Sequence, residues 1–261
     1  MARIYPLFSS SKGNSSFIGN DSGGILIDAG VSCKRLCDAF KANEIDPAVI
    51  QGIFITHTHS DHVSGLKVFT KKYHIPVFAQ RTNLEILAAG GKIDPACEVY
   101  EVDGGEICVG DYSVKAFTTF HDTPASCGYQ IRTPDDRQVC VCTDLGKVTN
   151  EVDMHLCGSD LVLLESNYDD VMLKNGSYPY ELKQRIASDH GHLSNADCGE
   201  QLKRLVNSGT NKFILGHLSQ ENNTPMQAEN SAVSALSGYE RNCDYLLHIA
   251  RPEGNGMAVA F

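Results

Sequence analysis

Four side chains able to hold a metal ion fall within six consecutive positions, His57-Thr58-His59-Ser60-Asp61-His62. Imidazole and carboxylate donors suit zinc, manganese and iron(II). The preceding segment, Ile53-Phe54-Ile55-Thr56, is apolar and β-prone, so a strand runs directly into the cluster. Along an extended chain the side-chain period of two sets His57 and His59 on one side. A helical pattern begins at Val63, placing Asp61 and His62 at or just before a helix start. The spacing can therefore serve two ions, His57 and His59 for one, Asp61 and His62 for the other.

Each ion needs about four donors, so the box alone is incomplete. His121, Asp144 and His217 each close a predicted strand, where a β-strand delivers a side chain to one rim of a sheet. Asp144 could bridge both ions, with His57, His59 and His121 on one and Asp61, His62 and His217 on the other. Two such ions share a bridging hydroxide and lower the pKa of water, and Asp61 could also accept its proton. A second segment, Ser188-Asp189-His190-Gly191-His192-Leu193-Ser194-Asn195, precedes a helix. Ser194 or Asn195 can cap that helix, Ser194-x-x-Asp197 approximates a capping box, and the N–H groups there favour a phosphate. His192 in this loop could protonate a leaving oxygen, whereas His190 receives no role. Lys183 and Arg185 either reach backbone phosphates or form a solvated helix face. The stretch Ser9–Ser16 either offers backbone amides to a terminal phosphate or is an ordinary hairpin turn.

The elements that must carry these residues interleave. Strands are predicted at 3–8, 15–19, 24–28, 52–56, 76–79, 98–102, 112–120, 127–132, 138–143, 161–165, 212–216, 245–250 and 256–261. Helices are predicted at 33–42, 63–73, 82–89, 147–156, 179–188, 195–208 and 225–239. No linker, repeat or compositional break divides the 261 residues, which predicts one α/β domain, 1–261, built in layers. No run of 18 apolar residues suggests a membrane span. The start lacks the apolar region of a secretory signal, and the ten cysteines are scattered, so a reducing, cytoplasmic setting is expected. A net charge of −10 argues against a wide basic face gripping nucleic acid, although it allows an anionic substrate held at a metal centre.

With Ile25-Leu26-Ile27-Asp28-Ala29-Gly30, the box at 57–62, and His121, Asp144 and His217 in order, the chain resembles the metallo-β-lactamase fold superfamily. The resemblance implies a four-layer αββα sandwich, two mixed β-sheets flanked by helices, with Asp28 beneath the metal loop. Lactamases of the main subclass carry cysteine where this chain has Asp144, which points towards phosphodiesterases or thioesterases. Gly191-His192-Leu193-Ser194-Asn195 is similar to the loop of RNase Z-type phosphodiesterases whose histidine lies beside the scissile phosphate. That family pairs the histidine with a glutamate at a strand end, which nominates Glu165 in Leu164-Glu165-Ser166-Asn167. The YycJ/WalJ branch resembles it further, through Ser9–Ser15, Tyr178-Pro179 and His217-Leu218-Ser219-Gln220-Glu221-Asn222-Asn223. It implies a DNA exonuclease acting 5′ to 3′ with two divalent ions, zinc or manganese, and a link to DNA repair.

The alternative is a thioester or lactone hydrolase of the glyoxalase II type on the same seven ligands. The pair Glu165 and His192 separates the two, because a thiolate leaving group needs no proton donor. A non-catalytic binding protein would leave the complete ligand set without a purpose.

Overall fold

The computed structural model describes residues 1–254 and 257–261. The first half of the chain runs β1 (Arg3–Ser10), β2 (Gly13–Asn20), β3 (Gly23–Ile27), α1 (Cys33–Ala42), β4 (Ile50–Phe54), α2 (Ser60–Val63), α3 (Leu66–Tyr73), β5 (Val77–Ala79), α4 (Arg81–Ala89) and β6 (Val99–Glu101). The second half runs β7 (Glu106–Val109), β8 (Tyr112–Thr118), β9 (Cys127–Arg132), β10 (Gln138–Cys142), α5 (Asn150–Leu156), β11 (Leu161–Glu165), α6 (Asp170–Asn175), α7 (Tyr180–Ile186), α8 (Asn195–Asn207), β12 (Lys212–Gly216), α9 (Pro225–Ala235) and β13 (Leu246–Ile249). A short β14 (Val259–Ala260) returns to the first sheet, antiparallel to β1.

The two sheets have orders β14-β1-β2-β3-β4-β5-β6 and β13-β12-β11-β10-β9-β8-β7. Each is mixed. Antiparallel hairpins lead into parallel strands at β3–β6 and again at β10–β13. Parallel strands buried on both faces are apolar almost throughout, as in Leu161-Val162-Leu163-Leu164. Their inner faces meet in one core, where Ile18, Ile25 and Phe54 pack with Tyr129, Val141 and Leu163. Phe54 stacks on Phe78 and meets Tyr129 edge-on, and the Tyr129 hydroxyl donates to the Ile55 carbonyl at 2.6 Å, tying the sheets together. Burying one such aromatic ring contributes about 2–3 kcal/mol. Leu36, Phe40 and Phe69 from α1 and α3 cover the outer face of the first sheet. Val152, Leu202, Leu205 and Ala228 from α5, α8 and α9 cover the second. The result is the αββα sandwich that the resemblance implies.

The helix predicted over 63–73 is two helices, broken at Gly65. A Cβ there would stand 2.0 Å from the Val31 carbonyl oxygen, so only glycine fits this close approach. Helix α2 begins at Ser60, putting Asp61 and His62 inside its single turn. Strand β7 and helix α6 were not expected from the sequence. Only Val109 of β7 and only Leu173 of α6 are buried, which leaves almost no periodic apolar signal. The strand expected at 256–261 starts on Gly256, outside the described residues.

Candidate metal centre

The ends of β3, β4, β8, β10, β11 and β12 open onto one rim of the sandwich, and every residue nominated for metal or catalysis follows one of them or lies in the 188–195 loop. Three of these residues turn the chain sharply as it leaves the sheet. Asp28, Asp144 and His217 all have left-handed backbones, with φ of 60°, 58° and 54°. Aspartate and histidine tolerate this region better than most residues with a Cβ. After Asp28, the Ala29 N–H donates to the His62 carbonyl at 2.8 Å and the Gly65 N–H to the Ala29 carbonyl at 2.9 Å. These bonds clamp α2 against the end of β3.

The donor atoms of His57, His59 and His121 lie within 4.8 Å of one another, and so do those of Asp61, His62 and His217. Asp144 lies between the triads. It groups with His57 and His62 within the same limit, and its Oδ1 is 3.3 Å from His217 Nδ1. The structure brings together the two sets of three side chains grouped from the sequence, and a further set of Asp144, Glu165, His192 and His217.

Each buried imidazole has its Nδ1 engaged, which turns Nε2 towards the centre. His62 Nδ1 donates to Asp28 Oδ2 at 2.7 Å, and His121 Nδ1 to the Gly191 carbonyl at 2.9 Å. His217 Nδ1 donates to Glu165 Oε1 at 2.8 Å, and His57 Nδ1 meets the Thr56 hydroxyl at 3.1 Å. Asp28 is fixed in turn by the Thr56 N–H and hydroxyl, at 2.9 and 2.8 Å. Fixing the outer nitrogen sets tautomer and ring orientation for the inner one.

These side chains fit divalent metal ions. His57 Nε2, Asp144 Oδ2 and His217 Nε2 are shielded from solvent and have no hydrogen-bond partner among the described residues. Buried polar atoms are rarely left in that state. Burial, then the neighbouring imidazoles, hold His57 well below its ordinary pKa, leaving it neutral and able to donate a lone pair. Burial also pushes His217 down, but the Asp144 and Glu165 carboxylates outweigh it and hold it up at about 9. The carboxylates of Asp28, Asp61, Asp144 and Glu165 therefore concentrate negative charge that a cation would neutralise.

Glu165 is wholly buried at the end of β11. Its Oε1 accepts from both His192 Nδ1 and His217 Nδ1 at 2.8 Å. Its Oε2 accepts from the backbone of Leu145 at 3.0 Å and of Leu193 at 3.2 Å. Burial opposes its ionisation, yet the His192 and His217 imidazoles hold the carboxyl well below its usual range. Burial likewise lowers His192, and Glu165 reverses this and raises it. The resemblance paired Glu165 with His192 alone, whereas the structure makes it a hub that also orients His217.

The residues nominated to touch substrate have partners within the protein. Lys183 Nζ donates to the carbonyls of Lys174 and Gly176, closing the end of α6. Arg185 pairs with Asp122. Ser194 caps α8 as expected, accepting from the Asp197 N–H at 3.0 Å and donating to its Oδ2 at 2.7 Å. Asn195 is buried, accepting from the Ser166 hydroxyl at 2.6 Å and from Asn223 at 2.9 Å. Asn167 donates to the His217 carbonyl at 2.7 Å. The motifs around 166, 194 and 222 thus form a polar scaffold behind the centre. His190 lies outside, its ring 5.4 Å from exposed Phe120.

The contacts that Asn14, Ser9 and Asp122 make at the centre were not foreseen. Asn14 Nδ2 lies 3.2 Å from Asp61 Oδ2 and 2.9 Å from His62 Nε2, and the Ser9 hydroxyl accepts from the His217 N–H at 2.8 Å. The Ser9–Ser16 stretch is therefore a β1–β2 hairpin that buttresses the centre. Asp122 is the third, with Oδ1 3.2 Å from His121 Nε2. All three are short polar residues in the β1–β2 hairpin or in the loop after His121, where nothing in the local pattern marks a long-range contact.

Residues 24–218 match the family model described as a beta-lactamase superfamily domain. Exodeoxyribonuclease WalJ of Streptococcus pneumoniae serotype 2 (strain D39 / NCTC 7466) is 34% identical over 235 residues, covering 88% of this chain and 87% of that protein. Exodeoxyribonuclease YycJ of Bacillus anthracis is 32% identical over 231 residues, again covering 88% and 87%. In three dimensions the chain is similar to the metallo-β-lactamase fold protein YhfI from Bacillus subtilis, with a TM-score of 0.74, 14% identity, and 99% and 98% of the two chains covered. The chain belongs to the metallo-β-lactamase fold superfamily, in the branch that holds WalJ and YycJ.

Proposed function

We propose that this chain is a metal-dependent phosphodiester hydrolase, a DNA exonuclease working 5′ to 3′, with residues 1–261 acting as one hydrolase domain. The reading draws on its relatives, which are named exodeoxyribonucleases and match most of its length. His57, His59 and His121 would hold one divalent ion, Asp61, His62 and His217 would hold a second, and Asp144 would serve as a donor between them, with zinc or manganese the fitting metals. Bound there, the ions supply neutralisation of the phosphate oxygens and a lower pKa for water. Asp61 accepts a proton from the attacking water. His192, its Nδ1 occupied by Glu165, delivers a proton from Nε2 to the leaving oxygen. A reducing, cytoplasmic setting suits its ten cysteines, all free among the described residues. None of the described helices is long and apolar enough to cross a membrane.

The observation that carries the choice of phosphodiester over thioester is the Glu165 Oε1–His192 Nδ1 bond at 2.8 Å, which readies an imidazole to donate a proton. An alkoxide leaving group needs that proton and a thiolate does not. The test is to load the purified protein with manganese or zinc and supply 5′-phosphorylated single-stranded DNA, its 5′-hydroxyl counterpart and a glutathione thioester. Stepwise shortening from the 5′ end, abolished by EDTA, with the thioester left intact, is the expected result. Thioester turnover with the DNA untouched would sink the proposal.

A further inference from the structure

We infer that Asp122 is an additional donor to the ion held by His57, His59 and His121, and that Arg185 holds its carboxylate in position. This rests on the two-ion reading above and extends it to residues outside the seven-ligand set. Asp122 Oδ1 lies 3.2 Å from His121 Nε2 and 3.8 Å from His59 Nε2. It is shielded from solvent and accepts no hydrogen bond among the described residues. His121 Nδ1 faces the Gly191 carbonyl, which can only accept, so the ring proton sits on Nδ1 and Nε2 presents a lone pair. A carboxylate oxygen and an imidazole lone pair then face each other at 3.2 Å, an arrangement that a cation between them turns from repulsive to attractive. The other oxygen, Oδ2, is gripped by the Arg185 guanidinium from α7. Arg185 thus leaves Oδ1 as the only free oxygen of the carboxylate and aims it at the imidazoles.

The arrangement also gives α7 a purpose. Through Arg185 it ties the His121 loop to the segment that carries His192, whose N–H donates to the Ile186 carbonyl at 2.9 Å. Partners one step outside a metal site commonly change its affinity by roughly 10–100-fold.

The test compares wild type, Asp122→Asn and Arg185→Gln by zinc stoichiometry after equilibrium dialysis, by competition with a chromogenic chelator, and by the visible spectrum of the cobalt(II) forms. Wild type is expected to take up two ions. Asp122→Asn should bind one of them about 10–100-fold more weakly, keep the other, and alter one component of the cobalt spectrum. Arg185→Gln, an exposed change that should spare folding, is expected to weaken the same ion by less. Two ions bound by both variants with wild-type affinity and spectrum would overturn this inference alone. A wild-type protein that binds fewer than two ions would overturn the two-ion reading and this inference with it. Circular dichroism of each variant separates loss of an ion from loss of the fold.

Discussion

Glu165 shows no surface to solvent and accepts four N–H groups, two from imidazoles and two from the backbone. Replacing one of its oxygens by an amide NH2 sets a donor against donors and removes the charge that the imidazoles meet. We expect Glu165→Gln to lower stability by about 3 kcal/mol, as for other broken buried ion pairs, and urea denaturation measures it. His192, by contrast, is partly exposed, and without it Glu165 keeps three other donors. His192→Ala should keep its metal and fold, and lose roughly 100-fold in rate, the usual cost of one positioned group in a transition state. If the glutamine variant proves as stable as wild type while the alanine variant cleaves DNA at full rate, the roles given to both residues are wrong.

At the scale of elements, the same device appears in both halves of the chain. A parallel strand ends, an aspartate turns left-handed, and a glycine follows two positions later: Asp28 and Gly30 after β3, Asp144 and Gly146 after β10. The glycines allow loops to cross at close range. A Cβ on Gly30 would stand 1.7 Å from the Asp61 carbonyl oxygen, and one on Gly146 2.3 Å from the backbone of Asp189. The first crossing presses α2, and with it Asp61 and His62, against the sheet end. Gly30→Ala should therefore displace α2, costing about 1–3 kcal/mol as overpacking does and releasing the ion proposed at Asp61, His62 and His217. Metal analysis alongside far-ultraviolet circular dichroism checks this. One ion lost with secondary structure unchanged is the expected pattern, and full metal content would refute it.

Across the whole molecule, the layered core decides which thiols can react. Cys127, Cys140 and Cys198 lie inside it, where burial pushes each thiol up to about 12, and burial also raises Cys142 well above its ordinary value. Cys108 on β7 and Cys243 before β13 are exposed. Iodoacetamide at neutral pH should modify Cys108 and Cys243 first and spare those four until the protein unfolds, since the thiolate is the nucleophile. Peptide mapping by mass spectrometry reads the outcome. Early labelling of Cys140 or Cys142 would mean that the second sheet and its helices do not pack as described.

The side chains gathered at the centre could be read from the sequence because metal chemistry restricts residue type and strand ends restrict position. His57, His59, Asp61, His62, His121, Asp144 and His217 each announced themselves by type at the end of an apolar run. The layered α/β class followed from alternating periodicity. The partners of the charged and polar side chains were not legible, because such a side chain in a helix or loop carries no local mark of its partner. Lys183, Arg185 and Asn195 all found theirs within the protein. The buttressing by Asn14, the second bond of Glu165 and the approach of Asp122 span separations of 48, 52 and 63 residues. By itself the sequence determined which atoms can hold a metal. Tertiary structure alone decided which nitrogens of those rings face inward and which charges are left to orient them, because both depend on chain segments that meet only when the two sheets close.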